Sequence, residues 1–217
     1  MEIIKSIIDF ILHIDKHLEA IISQYHALTY LILFVIIFAE TGFVVTPFLP
    51  GDSLLFAAGA LIAAGNTGLS IYLLALILII AAVTGNTVNY LLGGYLGPKV
   101  FKEKNKILKL EYYQKTHAFF EKYGAVAVIL SRFMPIIRTI APFVAGVSAM
   151  PFLKYSWYNI IGGASWILVF LFAGYFLGNV PVIKAHFALV GVIIILISII
   201  PPIYAAIKNM ATKKVSQ

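Results

Sequence analysis

The sequence predicts an all-α membrane protein: an inverted-repeat bundle with two opposed re-entrant helical hairpins, about three full transmembrane helices, and amphipathic interfacial helices. Three observations support this prediction. Of the 217 residues, 61% are hydrophobic and 12% are charged, whereas soluble domains average about 25% charged residues. At roughly 20 residues per span, the chain has room for four to six membrane segments. Two apolar stretches, one in each half, are interrupted by proline and glycine, a pattern typical of inverted-repeat transporters.

Residues 1–27 are predicted to form an N-terminal interfacial amphipathic helix. Most isoleucines and leucines of residues 2–22 lie near one helical face, and most charged residues lie on another. His13 and His17 have the i, i+4 spacing of metal ligands, with Asp15 between them. Because no third clear ligand shares that face, we predict headgroup-level histidines and no metal site.

The membrane domain is predicted at residues 28–207, and its first re-entrant hairpin at about residues 30–65. Proline lacks an N–H, and freed backbone at membrane depth is tolerated only against protein or water. We therefore expect the chain to leave helical geometry and return, with Asp52 or Ser53 capping the returning helix. The predicted hairpin-break residues are Gly42, Pro47, Pro50 and Gly51.

An uninterrupted span is predicted at residues 71–96. Its Asn86 and Asn89 either pack between helices or line a polar path. Residues 98–122 carry seven lysines, which by the positive-inside rule predicts a basic cytoplasmic loop. The second half of this loop, residues 111–123, is expected to be an amphipathic surface helix.

The second re-entrant hairpin is predicted at residues 124–149, where Pro135, Pro142 and Gly146 are the expected breaks. Two spans follow, at about residues 155–178 and 185–207. The basic tail at residues 208–217 is expected in the cytoplasm. Counted back from that tail, the two hairpins enter from opposite faces.

Four charged residues inside the interrupted stretches form the predicted functional site. Glu40 and Asp52 are the only acids or bases other than histidine between Glu19 and Lys99, and Arg132 and Arg138 are the only arginines. A charge at the bilayer centre costs about 2.5–3.5 kcal/mol on insertion scales, so it persists only with partners or a water-filled cavity. We expect these two acids and two guanidiniums to form one charge-balanced set.

The same motifs resemble the DedA (SNARE-associated, VTT-domain) membrane proteins, and the resemblance covers nearly the whole chain. It rests on Glu40-Thr-Gly-Phe, on Pro47-Phe-Leu-Pro-Gly-Asp-Ser-Leu-Leu, and on Ser131-Arg-Phe-Met-Pro-Ile-Ile-Arg-Thr139 with Pro142 and Gly146. It implies lipid translocation, since bacterial members are linked to flipping undecaprenyl phosphate or phosphatidylethanolamine and to proton-dependent membrane homeostasis. The functional positions that it implies are Glu40, Asp52, Arg132 and Arg138. Asn86 and Tyr95 depart from the acidic residue and the arginine that are common in the family.

The sequence and the resemblance together predict a flippase- or scramblase-like transporter of a phosphate-bearing lipid in the bacterial cytoplasmic membrane. Arg132 and Arg138 would bind the headgroup with Ser53 and Thr139, while Glu40 and Asp52 would couple transport to protons. The alternatives are a proton-coupled small-molecule efflux carrier and a structural membrane-homeostasis factor. We predict no cofactor, no nucleic-acid partner and no enzymatic activity, because no intramembrane histidine or Gly-x-Ser-x-Gly elbow accompanies the arginines. Small-residue faces such as residues 162–165 permit a homodimer.

Overall fold

Helices make up all the regular structure in the part of the chain that the computed structural model describes, which comprises residues 14–43, 51–65, 67–96, 110–178 and 180. The predicted all-α class is confirmed for these residues. These described residues form eight α-helices: α1 (Ile14–Tyr25), α2 (Thr29–Gly42), α3 (Gly51–Ala63), α4 (Ile71–Leu96), α5 (Leu110–Tyr123), α6 (Ala127–Ser131), α7 (Pro135–Val147) and α8 (Phe152–Leu177). Two 3₁₀ turns, His26–Leu28 and Gly124–Val126, join α1 to α2 and α5 to α6.

Three segments of the described chain are long and apolar enough to cross a membrane: His17–Gly42, Ile71–Leu96 and Phe152–Leu177, each of 26 residues. At 1.5 Å per residue the two uninterrupted helices, Ile71–Leu96 and Phe152–Leu177, each extend about 39 Å, compared with about 30 Å for the hydrocarbon core. The segment His17–Gly42 instead contains the 3₁₀ turn His26–Leu28. The span predicted at residues 71–96 is confirmed, and the one predicted at residues 155–178 begins three residues earlier. The span predicted at residues 185–207, residues 98–109 of the basic loop and the tail lie outside the described residues.

The two 3₁₀ turns have nearly the same backbone geometry. Tyr25 (φ −109°, ψ −9°) ends α1, and Tyr123 (φ −109°, ψ −5°) ends α5. Each is followed by a residue with positive φ, His26 at 45° and Gly124 at 58°. Glycine adopts this conformation without steric cost, whereas histidine does not. Both short helices therefore meet the next helix through the same sharp turn.

The first predicted break is located where Gly42 ends α2 and Gly51 begins α3. Pro47 and Pro50 lie outside the described residues. Asp52 is the second residue of α3 rather than its cap, so its carboxylate still lies at the positive end of the helix dipole. The second break is at residues 132–134, and Pro135 is the first residue of α7, where a missing N–H costs no helical hydrogen bond.

The prediction that Pro142 and Gly146 break the second hairpin is wrong, because both lie inside α7. Proline has a φ compatible with a helix, and in a membrane bundle neighbouring groups can satisfy the backbone that it frees. Because Pro142 has no N–H, the carbonyl oxygen of Arg138, four residues earlier, does not receive the usual helical hydrogen bond from residue 142. Gly146 instead permits a close helix contact, since a methyl group added there would lie 2.0 Å from the Tyr90 carbonyl oxygen.

Helices α3 and α8 pack at backbone distance through two glycines. A methyl group added to Gly59 would lie 2.0 Å from the carbonyl oxygen of Leu171, and one added to Gly174 would lie 2.0 Å from that of Phe56. These contacts pack α3, the helix that follows the first break, against α8, the long helix that follows the second break.

Helices α4 and α7 form the reciprocal contact. Gly146 of α7 lies against Tyr90, and a methyl group added to Gly93 of α4 would lie 2.1 Å from the Phe143 carbonyl oxygen. Phe56 and Gly59 of α3 thus correspond to Phe143 and Gly146 of α7. The helix that follows each break therefore packs against the long helix that follows the other break: α3 packs against α8, and α7 packs against α4.

Candidate functional site

The four charged residues predicted from the sequence converge at the ends of the interrupted helices. Glu40 lies near the end of α2, Asp52 near the start of α3, Arg132 directly after α6, and Arg138 is the fourth residue of α7. All are sequestered: Glu40 is 1% exposed, Arg132 is 2% exposed, and the Arg138 side chain is 11% exposed. The expected charge-balanced set therefore exists, and it divides into two parts.

Arg138 pairs with both carboxylates. Its Nη1 donates a hydrogen bond to Asp52 Oδ1 at 2.7 Å, and its Nη2 donates to Glu40 Oε1. A planar guanidinium can engage two oxygen acceptors at once, which makes such pairs strong and directional. One side chain of α7 therefore joins α2 to α3.

Gly51 makes room for the Glu40 carboxylate. A methyl group added to Gly51 would lie 2.0 Å from Glu40 Oε2 and 2.7 Å from Oε1. The missing side chain allows the start of α3 to close over the carboxylate. Gly51, predicted only as a break, thus also lies directly against the carboxylate of the ion pair.

Arg132 has a different environment, since within the described residues it forms no ion pair with a carboxylate. Its Nη2 donates to Asn159 Oδ1 at 2.6 Å and to the Ala82 carbonyl oxygen at 3.3 Å. With the Asn86 amide oxygen turned toward the guanidinium, that oxygen accepts from Nη2 at 2.8 Å. A buried positive charge is therefore surrounded by neutral oxygens.

Asparagines connect this cluster to the helices around it. Asn89 Nδ2 donates to the carbonyl oxygens of Thr139 at 2.8 Å and Thr41 at 3.3 Å, which joins α7 to the end of α2. Asn159 Nδ2 donates to the Val83 carbonyl oxygen at 3.0 Å. Asn89 therefore bridges helices, as the packing alternative predicts, whereas Asn86 faces Arg132.

The cluster encloses a cavity of about 10 Å³, close to the minimum that one water molecule needs. Its lining residues are Glu40, Thr41, Asn86, Arg132, Arg138, Thr139 and Trp166. A larger open groove of about 540 Å³ lies beside α2, and its lining holds no charged side chain: Ala27, Leu28, Tyr30, Leu31, Phe34 and Ile77. Of these two cavities, the small one is lined by charged side chains and the large one is not.

Of the residues predicted to bind the headgroup beside the arginines, Thr139 lines the cavity, whereas Ser53 is buried but is not among the lining residues. Tyr95 is 88% exposed and lies away from the cluster.

The sequence analysis missed Asn159 and Trp166. They are seven residues apart and thus share a face of α8, and an asparagine within an apolar span marks a polar side of that span. That signal was available in the sequence.

We expect Asn159→Leu to lower the free energy of unfolding by about 1–3 kcal/mol, because it leaves buried donors of Arg132 without their acceptor. Denaturant unfolding in detergent measures this. Ile160→Leu is the matched control, since Ile160 is the neighbouring residue and is 43% exposed. Equal stability of the two variants would show that Asn159 does not hold the guanidinium.

Comparison with known proteins identifies the family. The VTT domain family matches residues 49–176, more than half of the chain. The chain is 47% identical over 210 residues to Protein DedA of Escherichia coli K12, covering 96% of each protein. No solved structure matches the chain.

Two further relatives are membrane proteins by name. An uncharacterized membrane protein of Mycobacterium tuberculosis is 41% identical over 175 residues, which is 80% of this chain and 77% of the relative. Inner membrane protein YqjA of Escherichia coli K12 is 38% identical over 154 residues, covering 70% of this chain and 69% of YqjA. The chain therefore belongs to the DedA family of VTT-domain membrane proteins, a family linked to membrane homeostasis.

Proposed function

We propose that this protein is a flippase- or scramblase-like transporter that moves a phosphate-bearing lipid across the bacterial cytoplasmic membrane. Undecaprenyl phosphate and phosphatidylethanolamine are the candidate substrates, and protons influence the movement. The observation that carries the proposal is the cluster of two guanidiniums and two carboxylates buried among helices of both halves. Ionisable groups inside a membrane protein mark substrate and ion pathways because isolated charges are costly there.

Phosphate oxygens are natural competitors for the partners of Arg138. A phosphate presents paired oxygens to a guanidinium fork in the same way as the two carboxylates that Arg138 now contacts. The cavity of about 10 Å³ has no room for a headgroup. Binding therefore requires a carboxylate to leave Arg138 and the start of α3 to move away from α7.

Charge balance explains the influence of protons. With both carboxylates ionised, Glu40, Asp52, Arg132 and Arg138 sum to zero. A bound phosphate monoanion adds one negative charge, and uptake of one proton by the displaced carboxylate restores neutrality. Phosphatidylethanolamine brings its own ammonium group, so it needs no proton. The dependence on a pH gradient therefore distinguishes the two substrates.

We also propose that α2–α3 and α6–α7 are re-entrant hairpins of an inverted repeat, with the C-terminus in the cytoplasm. Helices α3 and α7 each have 13 residues, or about 20 Å at 1.5 Å per residue, which is shorter than a bilayer core of about 30 Å. One long helix, α4, separates the two hairpins in the chain. If α4 crosses once, the second hairpin enters from the face opposite to the first.

The test is lipid movement in liposomes that contain only the purified protein. Labelled polyprenyl phosphate and labelled phosphatidylethanolamine are followed with and without a pH gradient. We expect Arg132→Gln to slow movement by about tenfold or more, since hydrogen bonds to charged groups contribute about 1.5–3 kcal/mol. Lys154→Gln is the control, because Lys154 is exposed at the start of α8. Size-exclusion profiles establish that both variants are folded.

Failure of both lipids to move under any gradient would contradict the proposal. Uptake of a small solute in the same liposomes would then favour the efflux carrier. Equal rates for Arg132→Gln and the parent would remove Arg132 from the site.

A structural membrane-homeostasis factor is the second candidate. It is favoured by one observation: Arg138 already has both carboxylates as partners, in a cavity with room for only one water. Buried ion pairs of this kind can serve the fold alone. This candidate predicts no lipid movement by the pure protein.

A further inference from the structure

Trp166 is the large aromatic residue at the centre of the charged cluster. It is 1% exposed, and its indole N–H donates a hydrogen bond to Asp52 Oδ1 at 2.8 Å. A buried indole N–H needs an acceptor, and here the acceptor is a carboxylate of the predicted site. Trp157, on the same helix, is 61% exposed.

Trp166 contacts both partners of one ion pair. The oxygen that accepts its N–H, Asp52 Oδ1, also accepts from Arg138 Nη1 at 2.7 Å. The Arg138 guanidinium carbon lies 5.4 Å from the centre of the indole ring, within the range of a cation–π interaction. Helices α3, α7 and α8 thus meet at a single triangle of side chains.

The indole also adds a polar link to a contact that otherwise depends on close backbone packing. Helices α3 and α8 approach through Gly59 and Gly174, where each glycine lies against a backbone carbonyl oxygen of the other helix. The N–H instead fixes which Asp52 oxygen faces Arg138, and the ring fixes the side on which the guanidinium lies.

We infer that Trp166 is a positioning residue of the site: it holds Asp52 and Arg138 in register, so that α8 takes part in the opening and closing of their ion pair. The transport consequence rests on the proposed function, whereas the positioning of Asp52 does not.

The first test observes the indole N–H directly. The chain has two tryptophans, so Trp157→Phe leaves Trp166 as the only one, and isotope-labelled tryptophan gives a single indole resonance by NMR. We expect this proton to exchange slowly with solvent and to shift when Asp52→Ala or Asp52→Asn is added. Thr84→Ala is the control, because among the described residues the Thr84 hydroxyl bonds only to its own helix, α4, at Ile80 and Ala81. A resonance that neither Asp52 variant moves would overturn the inference.

The second test is a double-mutant cycle on lipid movement. Trp166→Phe keeps a ring in place and removes only the donor, so we expect movement to slow by about tenfold or more. If Trp166 acts through Asp52, the same substitution has no further effect in an Asp52→Ala protein. Effects that multiply independently would indicate core packing alone and would overturn the inference.

The two tests separate this inference from the proposed function. A shifted indole resonance in a protein that moves no lipid would contradict lipid transport and leave the positioning of Asp52 intact. Trp157→Phe alone is expected to move lipid at the parent rate, because its side chain is far more exposed than that of Trp166.

Discussion

Replacing Arg138 with alanine is expected to lower the free energy of unfolding by about 3–5 kcal/mol, the usual cost of leaving a buried charge without its partner. Here one substitution strands two carboxylates, because Arg138 is the ion-pair partner of both Glu40 and Asp52. Denaturant unfolding in detergent measures the loss. A variant as stable as the parent would show that the ion pairs contribute nothing to the fold.

A triple variant that removes all the charges of the two Arg138 ion pairs separates stability from function. Arg138→Met combined with Glu40→Gln and Asp52→Asn removes two negative charges and one positive charge. Replacing buried ion pairs by neutral side chains of similar volume is often tolerated, so we expect most of the lost stability to return. Lipid movement is expected to remain absent. Movement at the parent rate would exclude these three side chains from the transport site.

We expect Gly93→Ala to lower the free energy of unfolding by about 1–3 kcal/mol, the usual cost of overpacking. The added methyl group would lie 2.1 Å from the Phe143 carbonyl oxygen, a backbone atom that moves only if α4 and α7 separate. The neighbouring Gly94→Ala is the matched control. Its methyl group would lie 3.7 Å from the nearest atom, and alanine is the better helix former by about 1 kcal/mol.

The equivalent contact between α3 and α8 allows the same experiment to be made at Gly174. A methyl group on Gly174 would lie 2.0 Å from the Phe56 carbonyl oxygen, so Gly174→Ala should cost about as much as Gly93→Ala. If Gly93→Ala and Gly94→Ala were equally stable, the close approach of α4 and α7 would be wrong. If Gly174→Ala were tolerated and Gly93→Ala were not, the α3–α8 contact would be looser than the α4–α7 contact.

The elements that the sequence predicted well are those fixed by local physics. Residues 71–96 form one uninterrupted apolar run, and they are one helix. The end of α2 at Gly42 and the start of α3 at Gly51 follow from backbone freedom and from prolines that cannot continue a helix. The convergence of Glu40 and Asp52 with Arg138 follows from the cost of isolated charge in hydrocarbon.

What the sequence did not predict depends on contacts between distant residues. A proline rule that considers only neighbours places a break at Pro142, but packing against α4 keeps α7 helical through it. Trp157 and Trp166 are nine residues apart and lie on opposite faces of α8, yet spacing alone does not say which one faces the core. The separate environment of Arg132 was also not predictable, because its partner Asn159 is in a different helix.

Because α3 contacts α7 and α8, which are synthesised much later, its contacts can form only after most of the chain has been made. Asp52 is synthesised 86 residues before Arg138, and Gly59 about 110 residues before its contact at Leu171. At 5–20 residues per second, α3 exists for roughly 5–20 s before the helix that covers it. During that interval α3 has neither Arg138 nor α8 against it, so we expect the insertion machinery or lipid headgroups to shield its carboxylate and its glycine face. We therefore expect the nascent first half to be more susceptible to membrane proteases than the complete protein.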